Sequence, residues 1–390
     1  MPPAKPKILP HTTASHLPPG GIWIFVASVI VLQALFFLLH YMIYETLVAA
    51  FGASALPLGI PILFLSVTFI TASILAVRFD GLLMRFYYRL AGIWTSFIGP
   101  FCGASAGFVL LECVLPFIGI DVPPEAAGIF LFGVAAAVTF YGMWNGTRAE
   151  ITRITVPLPN LPDRWQGKKI AFFSDLHLGA FWNRGFAAKV AKKINAIRPE
   201  AIFMGGDLFD GVKCDTDRVL EPFKEMHPPL GVFYITGNHE YIRDPENFIG
   251  AVRRLGWKIL ENEKIDLQGI ELAGVDYKDT VQKEPYAAIL EQMAIDRNRP
   301  SILLKHVPEF LGPAEAAGIS LVLSGHTHHG QFWPISLITR RVYAGYDYGL
   351  KWFKRMVVYT SSGVGGWMSP FRLGTKSEIV EITLQRAGGD

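Results

Sequence analysis

Charge is what this 390-residue sequence has little of. Asp, Glu, Lys and Arg make up 18% of it and hydrophobic residues 51%, a balance too apolar for a purely soluble enzyme of this length. The net charge of +3 leaves no electrostatic footprint for nucleic acid, and no such partner is expected. Cysteine is scarce too. Cys102, Cys113 and Cys214 are too few for a disulfide framework or a cysteine-based zinc site. Internal repeats are lacking. What remains is long apolar runs in the first half and short polar motifs in the second.

Four apolar runs stand out within a predicted membrane domain, 21–147: residues 22–44, 56–77, 90–118 and 126–145. Each can cross a ~30 Å hydrocarbon core as a helix. The first is too long, and lacks a clear cleavage site, for a secretory signal. The third contains Pro100 and Pro116 and predicts a tilted or kinked span. Glu112 reads as interfacial, with a functional intramembrane carboxylate as the alternative. The Pro-rich, polar residues 1–20 read as a disordered tail. Lys5 and Lys7 precede the first run, Arg78, Arg85 and Arg89 follow the second, and Arg148, Arg153, Arg164, Lys168 and Lys169 follow the fourth, whereas the other two links carry no Lys or Arg. That alternation predicts a multi-pass protein of the plasma (inner) membrane with its second half on the cytoplasmic side.

Residues 148–167 read as a linker and 168–386 as a domain in which strands alternate with helices, an α/β layered arrangement. Five polar motifs each follow a predicted strand, where ligands of such sheets bind. They are Asp175-Leu176-His177, Gly206-Asp207-Leu208-Phe209-Asp210, Gly237-Asn238-His239-Glu240, His306, and Gly325-His326-Thr327-His328. Each alone is weak: a Gly-Asp after a strand is usually a turn, and a lone histidine usually structural. Together they suit phosphoester hydrolysis, which needs a hydroxide at neutral pH and charge neutralisation on the phosphoryl oxygens. Two divalent cations about 3.5–4 Å apart supply both. A mixed His/Asp/Asn set favours Mn²⁺, Fe or Zn²⁺ over Mg²⁺ or Ca²⁺.

This motif series, over about residues 168–384, resembles the calcineurin-like metallophosphoesterases. The resemblance implies a four-layer αββα sandwich behind a four-helix all-α transmembrane bundle. It also implies roles: Asp175, His177 and His328 on one ion, Asn238, His306 and His326 on the other, and Asp207 bridging. His239 would act near the substrate without ligating, and Asp210 would orient a ligand or His239. The segments Gly325–Gln331, Tyr359–Gly365, Pro370–Arg372 and Glu378-Ile379 look like the bacterial membrane-associated YkuE/YaeI type and the animal transmembrane proteins with this domain. His329, and Thr375-Lys376-Ser377-Glu378 where an Arg-Pro-Glu is usual, depart from that pattern and put substrate choice in doubt.

Several readings stay open. His329 is a contact to the substrate phosphate, an alternative metal ligand, or a solvent-facing loop histidine beside the ligands. Arg372 is either a bidentate phosphate ligand or a structural arginine. The aromatic and basic stretch from Trp333 to Met356 is either an interfacial element that admits a lipid phosphate or a surface excursion packed on the bundle. Three functions follow: hydrolysis of a phosphoester or pyrophosphate in a lipid-like, membrane-located substrate (as in relatives that cleave UDP-2,3-diacylglucosamine), hydrolysis of soluble nucleotides or phosphoesters by an anchored enzyme, or a non-enzymatic metal-binding scaffold.

Overall fold

The computed structural model describes residues 21–52, 55–79, 81–367 and 369–388. The tail expected to be disordered and Met368 lie outside them. Among the described residues are four helices long and apolar enough to cross a membrane: α1 (Gly21–Phe51), α2 (Ala55–Arg78), α3 (Leu82–Val114) and α4 (Pro124–Gly146). Pro116 sits at the start of a 3₁₀ turn, Leu115–Ile118, that ends α3, while Pro100 is accommodated inside it. The third helix begins eight residues before the expected 90 (90 − 82). Arg85 and Arg89, read from the sequence as a link, are therefore helical. Arginine is a strong helix former, so the charged link continues the helix, and Arg89 Nε donates to the Ala180 carbonyl at 2.6 Å.

The 148–167 segment is not a linker. It holds β1 (Glu150–Leu158), which pairs in parallel with β12 (Glu378–Arg386) from Glu150↔Glu378 to Leu158↔Arg386. As an edge strand it is half-exposed along most of its length, with Val156 and Leu158 buried. Its sequence therefore lacks the unbroken apolar run of a central strand.

Between these lie β2 (Lys169–Phe173), α5 (Arg184–Ile197), β3 (Ala201–Met204), α6 (Thr216–Leu220), β4 (Val232–Tyr234), α7 (Pro245–Arg254), β5 (Lys258–Ile259), β6 (Glu263–Leu267), β7 (Ile270–Gly274), α8 (Lys283–Met293), β8 (Ser301–Leu304), α9 (Leu311–Ala317), β9 (Leu321–Ser324), α10 (Ile335–Val342), β10 (Gly349–Phe353) and β11 (Met356–Thr360). The sheet orders are β1-β12-β2-β3-β4-β5 and β10-β11-β9-β8-β7-β6. Strands β2–β4 run parallel with one another, as do β7–β9, so the loops leaving them open at one end of each sheet.

Three apolar layers hold the stack. Phe172, Phe203, Phe233, Ile302, Leu304, Leu321 and Leu323 meet between the sheets. Val190, Ile194, Phe248 and Val252 of α5 and α7 cover the outer face of the first sheet, and Tyr286, Leu290 and Ala314 of α8 and α9 cover that of the second. Helix, sheet, sheet, helix is the four-layer order. The central strands carry side chains into two layers at once, which is why they read as continuous apolar runs.

The membrane helices are docked on this sandwich. Ala72, Ala76, Tyr88 and Ala91 of α2 and α3 pack with Ala180 and Val212 of the loops after β2 and β3. At the end of α4, Asn145 Nδ2 donates to the carbonyls of Arg372 and Thr375, both at 3.0 Å, and Ser377 Oγ donates to the Gly146 carbonyl at 2.9 Å.

Candidate metal centre

Backbone pairing sets the site before any side chain does. Past the end of β2 and β3 the two chains stay zipped: Asp175 N donates to Gly206 O at 3.0 Å, His177 N to Asp207 O at 3.1 Å, and Asp210 N to Leu178 O at 3.0 Å. Asp175 and His177 are thereby laid beside Asp207. From the second sheet, Gly325 N donates to His306 O at 2.9 Å, which aligns His306 with the His326 loop. Close approach needs glycine at two points. A Cβ on Gly237 would lie 2.2 Å from Asp207 Oδ1, and one on Gly325 2.3 Å from Asp175 Oδ2.

The seven residues read as ligands are brought together. His177 Nε2 and His328 Nε2 face each other at 3.1 Å, with Asp175 Oδ1 3.7 Å from His328 Nε2. Asn238 Oδ1 lies 3.1 Å from His306 Nε2 and 2.8 Å from His326 Nδ1. Asp207 Oδ2 lies between the groups, 3.9 Å from His177 Nε2 and 3.2 Å from His306 Nε2. Three overlapping groups have ligand atoms close enough for one ion each: Asp175-His177-His328, His177-Asp207-His239 and Asp207-His306-His326.

The donor set fits divalent metal. His177 Nε2 and His328 Nε2 face each other, and burial holds both rings well below the usual histidine range, so each is neutral and has a lone pair to offer a cation. Burial likewise pushes His326 down to about 3. A cation in each of the two outer groups would satisfy these lone pairs. Burial works to raise Asp207, yet the His306, His239 and His177 charges hold its carboxyl well below the usual range. His306, opposed by its own burial, is raised by Asp207 to about 9. Burial pushes Asp175 up to about 6. The set is a charged pair, Asp207–His306, inside a ring of neutral imidazoles.

Asp210 and His239 stand beside this set. Asp210 Oδ1 is 3.7 Å from His177 Nδ1, and burial raises this carboxyl to about 7. His239 Nδ1 donates to the Asp210 carbonyl at 3.0 Å, and its backbone N–H donates to Asp207 Oδ1 at 2.8 Å. Its ring stands edge-on to His177 with centroids 4.5 Å apart. Burial opposes its charge, but Asp207 and Asp210 together raise it.

The two residues read as possible substrate contacts are placed elsewhere. Arg372 is 1% exposed. Its NH groups donate to the carbonyls of His328, Lys376, Ser362 and Gly365 at 2.6–3.2 Å. Both terminal nitrogens of the guanidinium are thus directed at backbone carbonyls, and the bond to His328 tethers the loop that carries that residue. His329 stacks on Tyr348, centroids 4.4 Å apart, with Nε2 3.8 Å from Asp347 Oδ2. It faces those neighbours and is absent from the three groups.

Two site residues escaped the sequence reading. Glu240 accepts from the backbone N–H groups of Asp207, Phe209 and Gly237 at 3.0, 3.1 and 2.7 Å, tying the second motif to the third. It was visible as the last letter of Gly237-Asn238-His239-Glu240. Tyr88, on α3, donates to Asp210 Oδ2 at 3.3 Å. Nothing local to Tyr88 signalled this, because its partner is 122 residues away.

Comparison with known proteins agrees with this geometry. Residues 168–330 match the family model described as calcineurin-like phosphoesterase. An uncharacterized metallophosphoesterase of Campylobacter jejuni is 32% identical over 60% of this chain and 63% of its own length. The transmembrane protein with metallophosphoesterase domain of Danio rerio is 28% identical over 65% of this chain and 62% of its own. The uncharacterized metallophosphoesterase YkuE of Bacillus subtilis is 27% identical over 66% of this chain and 95% of its own. The chain thus spans about three fifths of the length of the first two relatives. Residues 168–330, whose loops bring these histidines and carboxylates together behind four apolar helices, belong to the calcineurin-like phosphoesterase family.

Proposed function

We propose that the protein is a membrane-anchored, dinuclear-metal-dependent hydrolase of a phosphoester or pyrophosphate bond in a membrane-located substrate, working on the cytoplasmic side of the plasma membrane. The observation that carries the chemistry is the sharing of His177 and Asp207 among three adjacent ligand groups. Asp175, His177 and His328 would hold one ion, Asn238, His306 and His326 the other, with Asp207 between them. Bound there, divalent ions (Mn²⁺, Fe or Zn²⁺) neutralise phosphoryl charge and supply a hydroxide at neutral pH.

The chain's own residues do the rest. His239 gives its Nδ1–H to the Asp210 carbonyl, so its other ring nitrogen is the one that can hand a proton to the leaving oxygen. Asp207 and Asp210 raise its basicity against the opposing effect of burial, which favours the protonated ring that a general acid needs. Asp210 faces Nδ1 of His177, so that the Nε2 lone pair stays available for ligation.

The placement of the substrate is argued from α10 and the residues around it. Trp333, Leu337, Ile338 and Val342 are 57–65% exposed, Arg340 and Arg341 end the helix, and Phe332 approaches Gly99 of α3. Tyr343, just past α10, stands edge-on to His326 at 6.2 Å. A basic-ended helix with exposed apolar side chains, flanked by Phe332 near a membrane helix and Tyr343 near His326, suits an interface between lipid and metal site.

Purified full-length protein loaded with Mn²⁺, given a phosphorylated lipid in vesicles and a soluble chromogenic phosphodiester, tests the reading. Cleavage of the lipid that chelator and Asp207→Ala abolish is expected. Cleavage of the soluble ester alone would shift the assignment to a soluble substrate, and metal binding without any cleavage to a scaffold.

A further inference from the structure

Tyr88 belongs to α3, a helix long and apolar enough to cross a membrane, yet its hydroxyl lies in the shell around the metal ligands. It is 6% exposed and donates to Asp210 Oδ2 at 3.3 Å. The other oxygen of the same carboxylate, Oδ1, is 3.7 Å from His177 Nδ1, a buried nitrogen with no hydrogen-bond partner among the described residues. Three groups thus stand in line: phenol, carboxylate, imidazole. The ring of Tyr88 is pinned by Ala72, Ala76, Ala91, Ala180 and Val212. Those alanines are small enough to let α2 and α3 approach the loops after β2 and β3.

The physical consequence runs along the line. A metal-ligating imidazole needs its proton on the nitrogen away from the ion, and a carboxylate at that nitrogen selects the tautomer and fixes the ring plane. A carboxylate held at one oxygen only can still rotate about its Cβ–Cγ bond. A donor on the other oxygen removes that freedom. Tyr88 is the side chain that supplies it, and it comes from the membrane half.

We infer that Tyr88 is a positioning residue of the metal centre, acting through Asp210 on His177, so that the hydrolytic site is complete only when the α2–α3 end of the membrane domain is docked. On this view the bundle contributes more than an anchor. The inference rests on the reading of His177 as a metal ligand.

A double-mutant cycle on the full-length protein in detergent tests it, with Mn²⁺ affinity of metal-stripped protein as the first readout and kcat and KM on whichever phosphoester is cleaved as the second. Tyr88→Phe removes one hydroxyl and should weaken Mn²⁺ binding about 10-fold, lowering kcat with KM unchanged and leaving the melting curve unaltered. Tyr87→Phe is the control. That hydroxyl pairs with Thr71 at 2.6 Å inside the bundle, and its loss should change affinity less than about twofold because it has no part in the metal shell. On an Asp210→Asn background, Tyr88→Phe should cost less than about twofold, because the groups act as a unit. Equal losses on both backgrounds, no loss on either, or a loss explained by unfolding would overturn the inference. A parent protein that binds no divalent metal would bring down the metal-centre reading itself, and this inference with it.

Discussion

Asp175, His177, Asp207, His326 and His328 all hold left-handed backbone, with φ between 50° and 68°. Each such non-glycine residue costs about 1–3 kcal/mol, so the surrounding pairing must impose it. The zipped loops and the Glu240 carboxylate do so. In an extended chain the alternate residues of Asp-x-His and His-x-His would already share a face, and the left-handed turns at these positions curl the backbone around the site. Two predictions belong here. Replacing Asp207 with Ala removes the one anion common to the adjacent groups. Elemental analysis should then find neither ion retained, and retention of a full complement would refute the bridging role. The second concerns His306, which Asp207 raises to about 9. Below that pH it is protonated and must lose the proton to ligate. Binding of Mn²⁺ at pH 7 should release about one proton, and affinity should climb about tenfold per pH unit before levelling near 9. Below about 6, where Asp175 also takes up a proton, the slope should steepen. Calorimetric titration in two buffers of different ionisation heat measures this, and a flat profile between pH 6 and 9 would contradict it.

Among the elements, β2, β3, β4, β8 and β9 were legible because each is a short, fully buried apolar run followed at once by a polar motif. β1, β6 and β10 were not. They sit at or near sheet edges, are half-exposed, and so mix charged and apolar residues without a buried run. Of the stretch from Trp333 to Met356, the sequence showed its composition but not that Ile335–Val342 is a helix with its apolar residues outward. If that helix meets lipid, the double substitution Leu337→Glu and Ile338→Glu should depress turnover of a vesicle-embedded substrate at least tenfold, since each buried side chain forfeits about 1.5–3 kcal/mol of lipid contact. A soluble phosphodiester should be cleaved at the parent rate. Equal loss on both substrates would make α10 a structural part of the sandwich.

At the scale of the molecule, the two halves are joined by close backbone contacts as well as by chain. A Cβ on Gly146, at the end of α4, would lie 1.6 Å from the Pro370 carbonyl oxygen. Backbone cannot swing away as a side chain does. Gly146→Ala should therefore destabilise the protein by about 3 kcal/mol, seen as a lower melting temperature with the membrane helices still inserted. A change under about 0.5 kcal/mol would mean that the α4 contact is not tight. The same seam carries Tyr88 to Asp210, so loosening it should also weaken metal binding.

Taken alone, the sequence determined the division into an apolar and a polar half, the number of long apolar helices, and which residues to expect around the candidate site. Those properties reside in local composition and in short motifs at strand ends, where side-chain chemistry and spacing suffice. Tertiary structure decided that Arg372 donates to backbone carbonyls, that Glu150–Leu158 is a strand, and that a tyrosine of a membrane helix touches Asp210 beside the candidate ligands. Each of these depends on which distant segment fills the space beside a residue, and Tyr88 and Asp210, far apart in the chain, meet only because α2 and α3 dock against the loops after β2 and β3.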